Sequence, residues 1–242
     1  MTRNTFIKEK NFKLKKINKL GVVLFMGRAK CIYSKKIKYL IKKKSKKLYY
    51  FESKKIGEKI NKKLLKINYD YIFCFRSYCI LKKDILKKVK VSAINFHPGL
   101  PKYRGTGAIN YAIFNNSNSY GSTAHIINNK IDYGKIIDVK KFRINKKSMI
   151  DKILDKTYKI MFKQAISVIR NISVNPNYIN NMIKRNKHIK WSNKIGTLKD
   201  LNNFYIVDKD IGKKDLLRKI RATKTSKFKP YINLYGKKFI LE

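Results

Sequence analysis

Short apolar runs alternate with stretches of helical period through the first hundred residues, and that alternation leaves the chain few folds to adopt. Residues 20–26 (LGVVLFM) form an apolar run that ends at Gly27, the pattern of a strand buried on both faces. Residues 34–43 follow with Ile37, Leu40 and Ile41 at helical spacing. Residues 47–51 predict a short strand, and residues 56–67 predict a helix through Ile56, Ile60, Leu64 and Leu65. A second buried strand is expected at residues 69–75 (YDYIFCF), a short helix at 83–89 and another strand at 91–96. The predicted class is α/β: a Rossmann-like, mostly parallel sheet flanked by helices and built with right-handed crossovers. Such sheets bind ligands beyond the carboxyl ends of their strands. The loops after Phe25, Phe75 and Ile94 are therefore where chemistry is expected.

Downstream, residues 107–115 predict a helix, 121–127 and 134–142 two strands joined by a turn, and 149–172 a long amphipathic helix. The pattern breaks at residues 174–177, with Pro176 as punctuation. This divides the chain into a main domain, residues 1–177, and a small α+β C-terminal extension, residues 178–242. The extension holds Trp191, a predicted helix at 213–222, and a predicted hairpin of residues 231–234 and 238–241 around Tyr235-Gly236. Residues 1–19 are basic, carry no assigned role and lack a long apolar core, so neither a secretory signal nor a membrane span is expected there.

The net charge of +46 comes from 60 basic against 14 acidic residues, and only nine of the basic ones are Arg. A charge this high attracts nucleic acid. Yet the Lys residues are scattered over helix-like, strand-like and loop-like segments alike, whereas a nucleic-acid footprint is clustered and richer in Arg. Lys, Asn and Ile are all read from A/T-rich codons, which accounts for the bias without a polyanionic partner. Cys31, Cys74 and Cys79 show no metal-ligand spacing. Cys74 and Cys79 sit in an apolar run and read as small core residues, and a reducing cytoplasm suits all three.

The least ordinary local sequence follows the strand at 91–96. Asn95 and His97 alternate at its end, so their side chains share one side of the sheet, and Pro98 and Pro101 stiffen the turn beyond. Histidine carries protons near neutral pH. The Asn amide can donate to a developing oxyanion. A carboxylate is needed to orient the histidine, and Asp132, in a turn just before Gly134, is the candidate. Each residue alone also has an ordinary structural explanation as a turn former or a satisfied core histidine.

Together they resemble the formyltransferase family, which includes methionyl-tRNA and glycinamide ribonucleotide formyltransferases and the N-formyltransferases of amino sugars. The shared pattern is Asn95-Phe96-His97-Pro98, then Pro101 and Tyr103-Arg104-Gly105, then Gly121-Ser122-Thr123-Ala124-His125, then Asp132-Tyr133-Gly134-Lys135-Ile136-Ile137. It spans roughly residues 20–170. The resemblance implies the formyltransferase fold, with N10-formyltetrahydrofolate as donor and no metal. Asn95 and protonated His97 would stabilise a tetrahedral oxyanion, while Asp132 would hold the His97 charge and organise a proton-relaying water. It further implies that the pterin lies against the loop Arg76, Ser77, Tyr78, Cys79, Ile80 and Leu81. The turn Asn128 to Ile131, with Lys130, closes the other side. Pro98, Gly99, Tyr103 and Arg104 are candidates for lining the acceptor site. Arg104 has an equal alternative as a cap for local carbonyls, and His125 is assigned a structural role.

Three acceptors compete. The first strand lacks the glycine-rich phosphate loop of the glycinamide ribonucleotide enzymes. The 65 residues from 178 onward are few for the tRNA-gripping barrel of the methionyl-tRNA enzymes. The ending is most similar to the dimer-forming tails of amino-sugar N-formyltransferases. The expected acceptor is therefore a primary amine on a nucleotide-linked amino-deoxy sugar of polysaccharide biosynthesis, and the expected assembly a homodimer. Methionyl-tRNA is the alternative acceptor, and a nucleic-acid-binding protein on a non-catalytic scaffold is the alternative class.

Overall fold

The structure, a computed structural model, describes residues 20–241; the basic segment 1–19 lies outside them. The chain runs β1 (Val22–Arg28), α1 (Ile32–Lys44), β2 (Lys47–Ser53), α2 (Lys62–Leu65), β3 (Tyr69–Phe75), α3 (Lys83–Leu86) and β4 (Val89–His97). There follow β5 (Arg104–Gly105), α4 (Ala108–Phe114), β6 (Ser119–Ile126), β7 (Ile136–Arg143) and α5 (Ile150–Ile172). The last quarter adds α6 (Tyr178–Arg185), β8 (Ile195–Gly196), α7 (Leu198–Phe204), α8 (Lys213–Thr223), β9 (Tyr231–Leu234) and β10 (Lys237–Ile240).

Six strands form one sheet in the order β2-β1-β3-β4-β6-β7. The first four are parallel and the β6–β7 hairpin joins β4 antiparallel, so the sheet is mostly parallel, as the alternation requires. After β2 the chain crosses to the far side of β1 to make β3. That change of direction opens a crevice at the strand ends.

Side-chain alternation supplies both faces. Val23, Phe25, Tyr71, Phe73 and Phe75 point into a core shared with Ile37 and Ile41 of α1 and with Met161, Ala165 and Ile169 of α5. Leu24, Met26, Ile72 and Cys74 point the other way, onto Cys79, Leu81 and Ile85. The inner face of α5 recurs at Ile150, Ile153, Thr157, Met161, Gln164 and Val168, the three-and-four spacing of an amphipathic helix.

The helix expected over residues 56–67 shrinks to the single turn α2. Gly57 takes a left-handed φ of +78°, which ends any helix there. The Glu58 carboxylate binds the Lys54 and Lys55 amides, and the Asn61 side chain caps α2 at Lys63. Ile56 is thereby left exposed beside the strand ends. Beyond residue 177 the chain stays on the main body. Ile179 of α6 joins the core of α1 and α5, α8 seats Ala222 against α4, and β9 and β10 make the expected hairpin.

Candidate active site

Alternation along β4 buries Phe96 in the core and turns Asn95 and His97 toward the crevice. Asp132 arrives from the β6–β7 turn, in a left-handed conformation with φ +43°, which Asp tolerates better than most side chains. Its carboxylate oxygens lie 3.1 Å from His97 Nδ1 and 3.2 Å from Asn95 Nδ2. The Gly105 amide donates to the same carboxylate at 3.1 Å. The three residues named from the sequence thus meet around one acid.

His97 Nε2 donates to the Tyr103 carbonyl at 2.9 Å. Both partners of the ring are acceptors only, so an imidazolium satisfies both. Burial alone would raise the Asp132 carboxyl. The His97 charge, the hydrogen bond and charge of His125 and the Gly105 amide outweigh it and hold the acid well below the usual carboxylate range. A fixed carboxylate, an imidazole and an amide donor together can polarise a carbonyl and move one proton.

The turn that carries Asp132 is clamped. Arg104 Nε and Nη2 donate to the carbonyls of Asp132 and Ile131 at 2.9 and 2.8 Å, and Nη1 donates to the Ser192 carbonyl at 3.0 Å. Its guanidinium also stacks on Tyr133, 4.5 Å from the ring centre. Gly134 is required here, because a Cβ would come within 1.7 Å of the Ile126 carbonyl oxygen. Gly99 is equally constrained, since its Cβ would strike His97 Nε2 at 2.5 Å.

Two acceptor-site expectations change. The side chain of Arg104 is spent on three carbonyls rather than facing the crevice, the capping role weighed as its alternative. Tyr103 turns its ring into the core of α4 and α5, beside Tyr120, and offers only its carbonyl to the site. Gly99 sits against His97, and Pro98 lines the crevice. The crevice, about 420 Å³, is also lined by Arg76, Ser77, Tyr78, Cys79 and Ile80 on one side and Asn128, Lys130 and Ile131 on the other. The two loops expected to enclose a flat ligand therefore do face each other across one space.

Three contributors were not assigned to the site from the sequence. His125 stands directly opposite Asn95 in the β4–β6 register. Its Nε2 lies 3.3 Å from Asp132 and 3.2 Å from the Asn95 amide. The period-two spacing of Gly121, Thr123 and His125 carried that signal, since Thr123 on the same face binds the Gly99 carbonyl. Trp191 packs on both imidazoles from a distant part of the chain. Arg28 enters from the end of β1, its guanidinium 4.1 Å from the Tyr78 ring centre, while Arg76 lies 3.6 Å from that of Tyr158. Among the described residues neither guanidinium is in an ion pair with a carboxylate, and the buried Arg76 Nε has no hydrogen-bond partner. Burial first, then the charge of Arg76, lowers the Arg28 pKa.

Comparison with known proteins identifies the fold. A bifunctional polymyxin resistance protein ArnA from Wigglesworthia glossinidia brevipalpis is 31% identical over 154 residues, 59% of this chain but only 23% of that relative. The crystal structure of a 4-N formyltransferase from Francisella tularensis superposes with a TM-score of 0.70 at 22% identity, covering 92% of this chain and 96% of that one. An N-formyltransferase from Helicobacter canadensis, in complex with folinic acid and dTDP-3-aminofucose, gives 0.65 at 20% identity, with 89% and 85% covered. At those identities the likeness establishes the fold. The sequence model described as formyl transferase matches residues 15–169, well over half of the chain, and with that match the chain belongs to the formyl transferase family.

Proposed function

We propose that the protein transfers a formyl group from N10-formyltetrahydrofolate to a primary amine on a nucleotide-linked amino-deoxy sugar. The observation that carries this reading is the meeting of Asn95, His97 and Asp132 in one crevice, between the 76–81 loop and the 128–131 turn. The pterin occupies the slot between those two segments, held largely by their main chain. The amine attacks the formyl carbon, and the carbonyl oxygen gains negative charge that the Asn95 amide and the His97 imidazolium stabilise. The His97 Nε2 bond to the Tyr103 carbonyl is the one exchanged for the substrate. Asp132 keeps its charge throughout, orients the ring through Nδ1 and organises the water that carries the amine proton away; the tetrahedral intermediate then collapses by breaking the carbon–N10 bond, and N10 takes up that proton as tetrahydrofolate leaves.

Arg28 and Arg76, without carboxylate partners in the same crevice, suit anionic substrates. The support for a sugar acceptor is that the Helicobacter canadensis neighbour was solved with a nucleotide-linked amino sugar. A further support is that solved sugar N-formyltransferases are covered over almost their whole length, 95% and 96%, by this chain. In this reading residues 1–177 are the catalytic domain and residues 178–242 an extension that pairs two copies. Tyr235, Phe239 and Ile240 are exposed on the hairpin, and Phe239→Lys should convert the proposed dimer to a monomer, as read by light scattering. The three buried, unpaired cysteines fit a cytoplasmic enzyme.

Incubating the protein with formyl-folate and a panel of dTDP-amino sugars, beside charged initiator tRNA, tests the acceptor. A formyl mass increment on a sugar nucleotide is expected; transfer to the tRNA alone overturns the sugar reading.

A further inference from the structure

Trp191 is the only tryptophan in the chain, and it lies between α6 and β8, far in sequence from the catalytic residues. Its ring centre is 5.0 Å from that of His125, with planes at 82°, and 6.0 Å from that of His97, with planes at 66°. Both are edge-to-face packings, the geometry in which an aromatic quadrupole attracts a ring edge or a cation. Its indole nitrogen donates to the Gly134 carbonyl at 2.7 Å, two residues past Asp132.

The segment around it is strapped to the catalytic turn. The Ser192 amide donates to the Pro101 carbonyl and the Ser192 carbonyl accepts from Arg104. Ile195–Gly196 pairs in parallel with Arg104–Gly105, and the Thr106 amide donates to the Gly196 carbonyl. A side chain at Gly105 would come within 2.3 Å of the Gly196 carbonyl oxygen, so the two strands meet at backbone distance. One segment thus touches all three contributors to the acid–imidazole cluster: the β4 turn, the β6 histidine and the Asp132 turn.

From this we infer that Trp191 is a positioning residue: its indole seats the His97 and His125 rings against Asp132. The charged groups set against that ring pair are Asp132, from the β6–β7 turn, and Arg104, from β5. The indole adds no proton and touches no reacting atom. It restricts the imidazoles to the rotamers seen here and covers them on one side.

The inference rests on the catalytic role proposed for His97, and two measurements separate the ideas. The first needs no substrate. Because Trp191 is the sole tryptophan, its emission reports on the imidazoles packed against it. Emission of the intact chain at neutral pH should differ in intensity and wavelength from that of the double variant His97→Asn, His125→Asn, which lacks both rings. Identical spectra for the two proteins would overturn the inference.

The second uses the formyl transfer assay. Trp191→Leu should lower kcat by about tenfold to a hundredfold, the penalty for a displaced catalytic group, with the folate KM changed by less than about threefold. Trp191→Phe keeps an aromatic edge and should recover most of that loss. An active wild-type enzyme whose Trp191→Leu variant keeps its kcat sinks the positioning role. A wild-type protein that transfers formyl to no amine sinks the functional reading instead, and the emission comparison then still decides the Trp191 contact. Should Trp191→Leu fail to fold, the emission measurement and Trp191→Phe remain decisive.

Discussion

The two walls of the crevice are built on opposite principles. On the β4–β6 wall, Asn95, His97, His125 and Asp132 engage one another, the Gly105 amide and nearby carbonyls. On the β1–β3 wall, two guanidiniums lie over tyrosine rings, neither in an ion pair with a carboxylate among the described residues, and one buried nitrogen goes unpaired. The first wall is finished before any ligand arrives and so is suited to chemistry, which rewards groups already in place. The second keeps positive charge uncompensated, at some cost to the folded state, and so is suited to gaining from an anion. Substitutions on the two walls should therefore differ in kind.

The sharpest test removes the centre of the first wall. His97→Ala and Asp132→Asn should each lower turnover by about 10²- to 10⁴-fold while the far-ultraviolet circular dichroism stays native; near-normal rates from either would dissolve the contrast. Asn95→Ala follows, at about 10²- to 10³-fold in kcat if the amide faces the oxyanion, and a change confined to KM would move Asn95 to a binding role. Arg28→Ala and Arg76→Ala should act on the other axis, raising a substrate KM by roughly tenfold to a hundredfold, the scale of a lost charged hydrogen bond. Their melting temperatures should hold or rise, because an uncompensated cation has gone. A lowered melting temperature with KM intact would make those arginines structural.

The smallest effect is a pH dependence of stability. The folded-state pKa of Asp132 is depressed, so the unfolded chain takes up this proton first as the solution is acidified. The stabilisation is complete above about pH 5 and declines as the pH falls through the ordinary carboxylate range, near 4, toward the folded value. Melting curves of Asp132→Asn against the wild type should converge on acidification, and a constant gap would remove Asp132 from the linkage.

Much of the first wall could be read in advance. Polar residues that interrupt an apolar strand at its carboxyl end are visible in a sequence, and Asn95 and His97 do this two residues apart. Asp132 was accessible because turn formers surround it. The helix misjudged at residues 56–67 failed for the converse reason: its apolar period is real, but Gly57 and the Glu58 turn break the backbone beneath it. The orientation of Tyr103 was hidden because its position beside the motif says nothing of which way its ring turns. Trp191 was hidden because its partners lie 57 or more residues away in the chain, and Arg28 because nothing in a basic sequence distinguishes a cation that lacks a counter-ion. Contacts set by register within one hairpin are legible; contacts closed by the last quarter of the chain are not.

The pairing of Ile195–Gly196 with Arg104–Gly105 also fixes a sequence of events in synthesis. A growing chain emerges from its N-terminus, and the four parallel strands together with the β6–β7 hairpin can collapse once α5 is available. Asn95, His97 and Asp132 then lie near one another, but Arg104 and the rings of His97 and His125 still lack their final partners, Ser192 and Trp191, which lie 66 to 94 residues further along the chain. Loop closure over that distance comes late. The nascent protein thus gains its sheet first and completes the cluster around Asp132 only after residue 196 has left the ribosome.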